Sequence, residues 1–180
     1  AINSSSHMYI KGGTVTVVAT GNDGLDSNGN LYIQGGTIMA FGTSSPECGI
    51  DANEEEGYSV IFTGGTLLAV GGGNSTPSTS ESTQPYVSGS MSVTADTEVA
   101  LKSGDTVLAK FTVPSNYTSG NGGQGGGPGG GGPGGWGGGG SSVLITCPGL
   151  TSGSSYTMTS GTSSSTVTAT TGGNSGGRPW

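Results

Sequence analysis

Oxygen-bearing side chains gather in two short stretches near the start of the chain. Asp23 and Asp26 flank a glycine in the first stretch, and Asp51 and Glu54 lie in the second. Calcium takes about six to eight oxygen ligands from carboxylates, backbone carbonyls and water. The spacing is not that of an EF-hand loop, and a solvated acidic turn is the common alternative for Glu54–Glu56. The four acids are nevertheless candidate calcium ligands.

Aromatic residues offer a second chemistry, which is stacking against sugar rings. Tyr9 and Tyr32 occupy equivalent positions in two similar segments, and Trp136 lies in a glycine-rich stretch. Aromatic rings supply a large contact area with an apolar face. Phe62 aligns with Ile10 and Ile33, one position further along than the tyrosines. Strand alternation places one of these two columns in the interior, so core packing of at least one aromatic is the alternative. Tyr9, Tyr32 and Trp136 are the candidate ligand-binding residues.

Residues suited to catalysis are scarce in this sequence. A reaction like that of pectate lyases needs calcium and a Lys or Arg base, and Lys11 is the single basic residue among residues 1–70. With His7 as the only histidine, no Ser-His-Asp set can be argued. Asp26 and Asp51 are expected on one wall, rather than across a groove as in glycosidases. The sequence therefore predicts a non-catalytic protein, with pectate-lyase-like activity as the residual alternative.

Two cysteines, Cys48 and Cys147, allow one pairing. In a secreted chain a disulfide between them would tie an early turn to the C-terminal region. The alternative is two thiols, one in a turn and one in a buried strand. Metal-type spacing is absent, and His7 does not complete a convincing zinc set with them.

A short sequence motif occurs three times in the first part of the chain. The structure that these repeats form must position the candidate residues. The copies are Met8–Val15, Leu31–Ile38 and Val60–Leu67, and their Gly-Gly steps lie 23 and then 29 residues apart. Apolar residues alternate with polar ones in each copy, which is typical of strands, and the glycines suggest a corner between two short strands. A second alignment places Ile2, Leu25 and Ile50 in one interior column. The repeat predicts an all-β chain with a right-handed parallel β-helix of about 23–29 residues per coil.

Changes in composition divide the rest of the chain. Coils are predicted over residues 1–70, and a linker or loop rich in Gly, Ser, Thr and Pro over 71–85. Alternation returns over 86–170, which predicts a small antiparallel β cap. A Gly-rich loop, 120–140, interrupts this cap, and a tail follows over 171–180.

Charge and hydropathy narrow the functional classes. Only 8% of the residues are charged, and the net charge is −7. Nucleic acid is not an expected partner because its phosphates need a basic surface. No apolar run approaches the roughly 20 residues that span a bilayer. This composition is typical of an extracellular or cell-surface protein, whose signal peptide would have been cleaved before the first residue.

The repeats and the C-terminal segment together resemble a known family. The similarity rests on the three Gly-Gly-Thr phrases, Asn22–Gly29, Gly49–Asp51, Ser142–Leu150, Gly153, Tyr156, Thr157 and Gly161. In these residues the chain resembles the bacterial carbohydrate-binding domain family of secreted right-handed parallel β-helix proteins. The resemblance implies a secreted or surface protein that binds acidic or cellulosic plant polysaccharide, with bound calcium.

Two functional hypotheses therefore stand. The first is a non-catalytic extracellular protein that binds polysaccharide at the cell surface, with calcium at the acidic turns. The second is a structural subunit of an extracellular filament. The repeat alignment places Ala1 in the middle of a coil, so either upstream coils were removed or another molecule covers that end. An uncovered coil would expose strand edges, which invites stacking. Gly-rich arms would then link neighbouring copies.

Overall fold

The chain is all-β. The computed structural model describes residues 1–118 and 141–172, and these form thirteen strands and one short 3-10 helix, Glu54–Glu56. In chain order the strands are β1 (Ile2–Ser4), β2 (Met8–Ile10), β3 (Thr14–Val18), β4 (Leu25–Ser27), β5 (Leu31–Phe41), β6 (Ile50–Ala52), β7 (Val60–Gly71), β8 (Tyr86–Met91), β9 (Glu98–Ser103), β10 (Thr106–Thr112), β11 (Ser141–Thr146), β12 (Ser155–Ser160) and β13 (Ser163–Thr168).

Strands from the repeated segments pair in parallel at the offset that the repeat predicts. In the three-stranded sheet β1-β4-β6, Ile2 lies beside Leu25 and Leu25 beside Ile50. In a second sheet, β2 and β3 pair with β5, and β5 pairs with β7. Equivalent positions of successive repeats are therefore neighbours, and the apolar positions Leu25 and Ile50 are fully buried.

The glycine pairs do not divide every repeat into two strands. Only the first repeat is split, into β2 and β3, whereas β5 and β7 continue through their glycines as strands of 11 and 12 residues. The pairing register shifts between Ile33 and Thr37, and Gly36 and Gly65 have φ of 90° and 85°. Glycine accepts this conformation at little steric cost. The Gly-Gly step is therefore an irregularity within a long strand, and the predicted corner is wrong for two of the three repeats.

Antiparallel strands complete the second sheet. Its order is β2-β5-β7-β11-β8, with β3 also on β5. β11 runs antiparallel between β7 and β8, so that Leu144 lies beside Ala69 on one side and Ser88 on the other. The third sheet, β10-β9-β12-β13, is antiparallel throughout. The parallel pairing thus ends at β7, because the next strand in the sheet is β11, which is distant in sequence and runs antiparallel to β7.

These findings overturn the predicted fold class. The sheets are separate and none is solenoid-like, so the chain is not a right-handed parallel β-helix. Sheets that contain antiparallel pairs hold ten of the thirteen described strands. Residues 86–170 do not form a separate cap, because β8 and β11 belong to the same sheet as β5 and β7. The repeat predicts which segments are neighbours, but it carries no information on the distant strand that joins β7.

Both faces of the mixed sheet are buried. Leu67 and Ala69 of β7 belong to an apolar cluster with Leu25 and Ile50 of the parallel sheet. The intervening Leu68 and Val70 belong to a second cluster, which reaches the third sheet through residues such as Leu101, Met158 and Val167. A strand that is covered on two faces reads as a continuous apolar run. The sheets therefore lie in three layers, with the mixed sheet in the middle.

The connection from β7 to β8 covers the outer edge of β6. The Asn74 side-chain oxygen accepts a hydrogen bond from the Ile50 N–H at 3.1 Å, and the Ser75 hydroxyl accepts one from the Ala52 N–H at 3.0 Å. This region was predicted as a linker or loop. The predicted Gly-rich loop 120–140 and most of the predicted tail 171–180 lie outside the described residues.

Candidate functional site

Parallel pairing brings three aspartates together. β4 carries Asp26 and β6 carries Asp51, and the two are register partners. Asp23 lies in the loop that enters β4. One carboxylate oxygen of each aspartate lies within 4.8 Å of the other two, and all three residues are partly buried. We call Asp23, Asp26 and Asp51 the acidic triad.

Neighbouring segments hold two members of the triad in place. The Asp23 Oδ1 accepts a hydrogen bond from the backbone N–H of Cys48, and the Asp26 Oδ2 accepts one from the side-chain amide of Asn3. Both donors come from a different repeat than the acid they contact. The two carboxylates are therefore positioned by the pairing of the repeats.

The Asp51 carboxyl lies partly buried beside the other two acids. Burial raises the pKa of the Asp51 carboxyl, and the negative charges of Asp23 and Asp26 raise it further. Hydrogen bonds from the side chains of Ser75 and Cys48 oppose this shift. The Ser75 hydroxyl donates to the Asp51 Oδ1 at 2.8 Å. The net result is a carboxyl that keeps its proton to a higher pH than an ordinary aspartate.

Glycine is required at position 24, between Asp23 and β4, because a side chain would clash there. A Cβ at Gly24 would lie 2.5 Å from the backbone oxygen of Gly49 and 3.0 Å from the backbone nitrogen of Phe41. Contacts this short with backbone atoms cannot be relieved by a side-chain rotation. The close approach of the backbones needs glycine, and it places Asp23 next to the other two acids.

A pocket of about 430 Å³ opens beside the triad. Among the described residues, its lining includes five acids but no lysine or arginine. The lining residues are Asp23, Ser27, Asn28, Pro46, Glu47, Cys48, Asp51, Ala52, Asn53, Glu54 and Glu55. The predicted ligand Glu54 lies on this wall but is not grouped with the triad, and its Oε1 accepts a hydrogen bond from the Thr76 N–H at 2.7 Å. The pocket is thus a strongly negative concave surface.

The two predicted tyrosines form a stacked pair. Tyr9 of β2 and Tyr32 of β5 are register partners, and their rings lie parallel, with centroids 4.6 Å apart and an interplanar angle of 1°. Tyr9 is 52% exposed, and the Lys11 Nζ lies 5.8 Å from the centroid of its ring. Phe62 lies in the neighbouring column, as the register partner of Ile33; it is fully buried and packs edge-on against Tyr86, with centroids 6.0 Å apart. Trp136 lies outside the described residues.

The sequence did not identify two further members of this aromatic group. The ring of His7 lies within 6.4 Å of Tyr9 and Tyr32, and 5.6 Å from Tyr58, all centroid to centroid. His7 falls at the same position of its repeat as Asn30, so the repeat alignment could have placed it beside the tyrosines. We call these four residues the aromatic cluster.

One turn connects the aromatic cluster to the pocket. Asn28 lines the pocket. Two residues later, the Asn30 N–H donates to the His7 Nδ1 at 2.9 Å, and the Asn30 side-chain amide donates to the Tyr32 hydroxyl, also at 2.9 Å. The turn Asn28–Asn30 therefore links the acidic pocket to the tyrosine pair.

The predicted disulfide does not form. Cys48 lies beside Gly73, whereas Cys147 follows Thr146, which pairs with Leu67. The six residues from Leu67 to Gly73 span about 20 Å at about 3.3 Å per residue, and the two Cα atoms of a disulfide lie within about 7 Å. Cys147 is a buried thiol, and burial raises its pKa.

Comparisons with known proteins give no further guide. A scan against protein-family models, a search of curated proteins and a search of solved structures each found no match. The similarity to the carbohydrate-binding family stays a prediction. Within the described parts of the chain, no helix has the length and hydrophobicity needed to cross a bilayer.

Proposed function

We propose that this chain is a non-catalytic, extracellular protein that binds polysaccharide across the acidic pocket and the tyrosine pair. The observation that carries the proposal is the continuity of these two features through the turn at Asn28–Asn30. A polymer that occupied the pocket would reach the exposed ring of Tyr9 without leaving the surface.

The acidic triad fits a calcium ion by the chemistry of its donors. Hard divalent cations prefer carboxylate and carbonyl oxygens, and Asp23, Asp26 and Asp51 offer three carboxylate oxygens within 4.8 Å of one another. A cation there would relieve the repulsion that contributes to the raised pKa of Asp51. When bound, calcium supplies coordination positions for hydroxyl or carboxylate oxygens of a ligand.

The negative charge of the pocket restricts which class of polysaccharide can bind there. Five acids line it, and no lysine or arginine does so in the part of the chain that the structure describes. An anionic polysaccharide would be repelled unless a cation lay between it and the carboxylates. A neutral polysaccharide has no such requirement and would use hydroxyl hydrogen bonds together with stacking. Calcium dependence of binding therefore distinguishes an anionic from a neutral ligand.

The tyrosine pair supplies the apolar half of the proposed contact. Tyr32 packs against one face of the Tyr9 ring, and 52% of the Tyr9 residue remains accessible. The hydrogen bond from Asn30 fixes the Tyr32 hydroxyl. The Tyr9 ring stacks on this fixed Tyr32 ring, so it should lose little conformational freedom when a ligand binds.

Affinity electrophoresis tests this proposal. The full chain is run through gels that contain a polyuronate, a neutral β-glucan or no polymer, each with calcium or with a chelator. We expect at least one polymer to retard the protein. Tyr9→Ala should weaken the retardation about tenfold, which is about 1.4 kcal/mol.

Tyr9→Phe is the matched control for the ring. It keeps the stacking surface and removes only the hydroxyl, so the protein should be retarded like the wild type. If none of the polymers retards the wild-type protein in calcium, the proposal is wrong.

A second candidate is a subunit of an extracellular filament. The observation that favours it is the exposure of the β1 edge: Ile2 is 44% exposed, whereas its register partner Leu25 and the next partner Ile50 are fully buried. An added strand from another copy would bury this apolar position. Negative-stain electron microscopy tests the idea, because Ile2→Asp should abolish filaments that the wild type forms. Dispersed wild-type particles would exclude this candidate.

A further inference from the structure

Side chains at one position of the repeat hold the backbone of the next repeat. His7 and Asn30 each come one residue before the first strand position that pairs between repeats, and so does Ser59. The His7 Nδ1 accepts a hydrogen bond from the Asn30 N–H at 2.9 Å, and the Asn30 Oδ1 accepts one from the Ser59 N–H at 2.8 Å. The side chains of His7 and Asn30 therefore make the same contact, one repeat apart.

The two acceptors differ in their response to pH. The side-chain oxygen of Asn30 does not titrate, so its contact with Ser59 is independent of pH. A neutral imidazole accepts a hydrogen bond only at the nitrogen without a proton, so His7 must carry its proton on Nε2. In the imidazolium form both nitrogens are donors and neither accepts. Histidine is the side chain that ordinarily gains a proton between about pH 8 and about pH 5, so acidification breaks the contact with Asn30.

Three tyrosine rings face His7. They are the rings of Tyr9, Tyr32 and Tyr58, which come from β2, β5 and the segment before β7. In the part of the chain that the structure describes, no carboxylate forms an ion pair with His7. The Lys11 Nζ already lies 5.8 Å from the centroid of the Tyr9 ring. A proton on His7 would therefore add a second positive charge to the aromatic cluster, without a carboxylate partner.

The turn Asn28–Asn30 lies tightly against His7. A Cβ at Gly29 would be 2.7 Å from the His7 Nδ1 and 3.0 Å from the His7 backbone nitrogen. A proton on Nδ1 would oppose the Asn30 N–H at close range, and the turn must move to relieve this contact between two donors. The Met8 N–H donates to the Asn30 oxygen at 2.9 Å. Because that bond involves no imidazole nitrogen, it remains after protonation, and the strand pairing that follows the turn is retained.

We propose that His7 is a positioning residue that makes polysaccharide binding pH-dependent, because its neutral form holds the turn Asn28–Asn30 and its protonated form releases it. The proposal rests on the function proposed above. Asn28 lines the acidic pocket, and the Asn30 side-chain amide donates to the Tyr32 hydroxyl. The turn thus contacts both halves of the proposed binding surface. Loss of the one hydrogen bond that fixes it should weaken binding about threefold to tenfold.

Nuclear magnetic resonance of the full chain tests the contact without any polysaccharide. His7 is the only histidine, so its imidazole signals are unambiguous. At about pH 8 the ring should carry its proton on Nε2. As the pH falls, the Asn30 amide signal should shift with the same midpoint as the imidazole signals. A neutral form protonated on Nδ1, or an Asn30 signal that does not follow the imidazole, would overturn the proposal.

His7→Asn is the matched variant for the binding measurement. Asn30 shows that an asparagine at this position of the repeat accepts a backbone hydrogen bond, and asparagine does not titrate. Affinity electrophoresis is run at about pH 8 and about pH 5 with each polymer. At the higher pH both proteins should bind alike. At the lower pH the wild type should weaken about threefold to tenfold more than His7→Asn. Both proteins keep the acidic triad, so protonation of its carboxylates affects them equally.

The outcomes separate this proposal from the function on which it rests. If the wild type binds and both proteins share one pH dependence, the role of His7 is wrong and polysaccharide binding stands. If no polymer retards the wild type at either pH, polysaccharide binding is wrong and the role of His7 in it is overturned as well. The resonance titration uses the wild type alone, so it decides on the contact even where His7→Asn alters the fold.

Discussion

The parallel and antiparallel regions of this chain use strand pairing in different ways. In the parallel region, formed by β1–β7, equivalent repeat positions lie side by side, so Asp26 adjoins Asp51 and Tyr9 adjoins Tyr32. In the antiparallel region, formed by β8–β13, strands pair in opposite directions, and residues of unrelated positions meet. Among the described residues, the parallel region thus brings carboxylates beside carboxylates and tyrosine beside tyrosine. The comparison shows that parallel pairing of sequence repeats can build a chemical site, because it brings residues of the same type from successive repeats side by side.

The largest loss of stability is expected from truncating an aromatic ring in the core, compared with one at the surface of the neighbouring column. Phe62 is fully buried, whereas Tyr9 is 52% exposed on the neighbouring column. Phe62→Ala should lower the free energy of unfolding by about 3–5 kcal/mol. Tyr9→Ala should lower it by about 1 kcal/mol, the contribution of a stacked pair. Urea denaturation measures both. Equal losses would mean that the two columns do not differ in burial.

An intermediate loss of stability is expected when a glycine of the Gly-Gly steps is replaced. Gly13 and Gly36 have similar φ values, 82° and 90°, but a Cβ at Gly36 would lie 2.7 Å from the Gly13 oxygen, whereas a Cβ at Gly13 has nothing within 4 Å. Gly13→Ala should cost about 1–2 kcal/mol through the positive φ alone. Gly36→Ala adds a backbone clash, for a total of about 2–4 kcal/mol. Thermal unfolding of the two variants separates these terms, and a Gly13→Ala that is as damaging as Gly36→Ala would refute the assigned cause.

The smallest effect is expected from the protonation of Asp51. Because its pKa is raised in the folded state, the folded chain binds this proton more tightly than the unfolded chain. In the presence of a chelator, the contribution of Asp51 to stability is therefore present below the ordinary aspartate pKa and is lost as the pH rises through the raised value. Asp51→Asn should remove this part of the pH dependence.

Glu81→Gln is the control for that experiment. It neutralises an exposed acid outside the pocket, so the pH dependence due to Asp51 should remain. Denaturant titrations at a series of pH values measure the difference. A wild-type profile in Asp51→Asn would assign the effect to other groups.

The repeat made part of the site predictable. The alignment predicted the pairing of Ile2, Leu25 and Ile50, and with it the proximity of Asp26 and Asp51, because equivalent positions of parallel strands are neighbours. The alternation within each copy also predicted that one of the two neighbouring columns is interior, and the full burial of Ile33 and Phe62 confirms this.

Other features depend on contacts that no local pattern contains. The continuity of β5 and β7 through their glycines arises from a register shift between partners. The position of β11 beside β7 joins residues more than 70 apart, such as Ser142 and Gly71. The predicted β-helix was wrong because these non-local pairings decide how the sheets are completed. The contact between the rings of Tyr58 and His7 likewise depends on three-dimensional packing.

Calorimetric titration of calcium is the most direct test of the proposed site. The wild type and Glu81→Gln should each bind one ion, and the affinity should rise with pH as Asp51 loses its proton. Asp51→Asn should weaken the binding at least about tenfold, since one of three carboxylate ligands is lost. Equal affinity in Asp51→Asn, or no binding by the wild type, would contradict the assignment of calcium to the acidic triad.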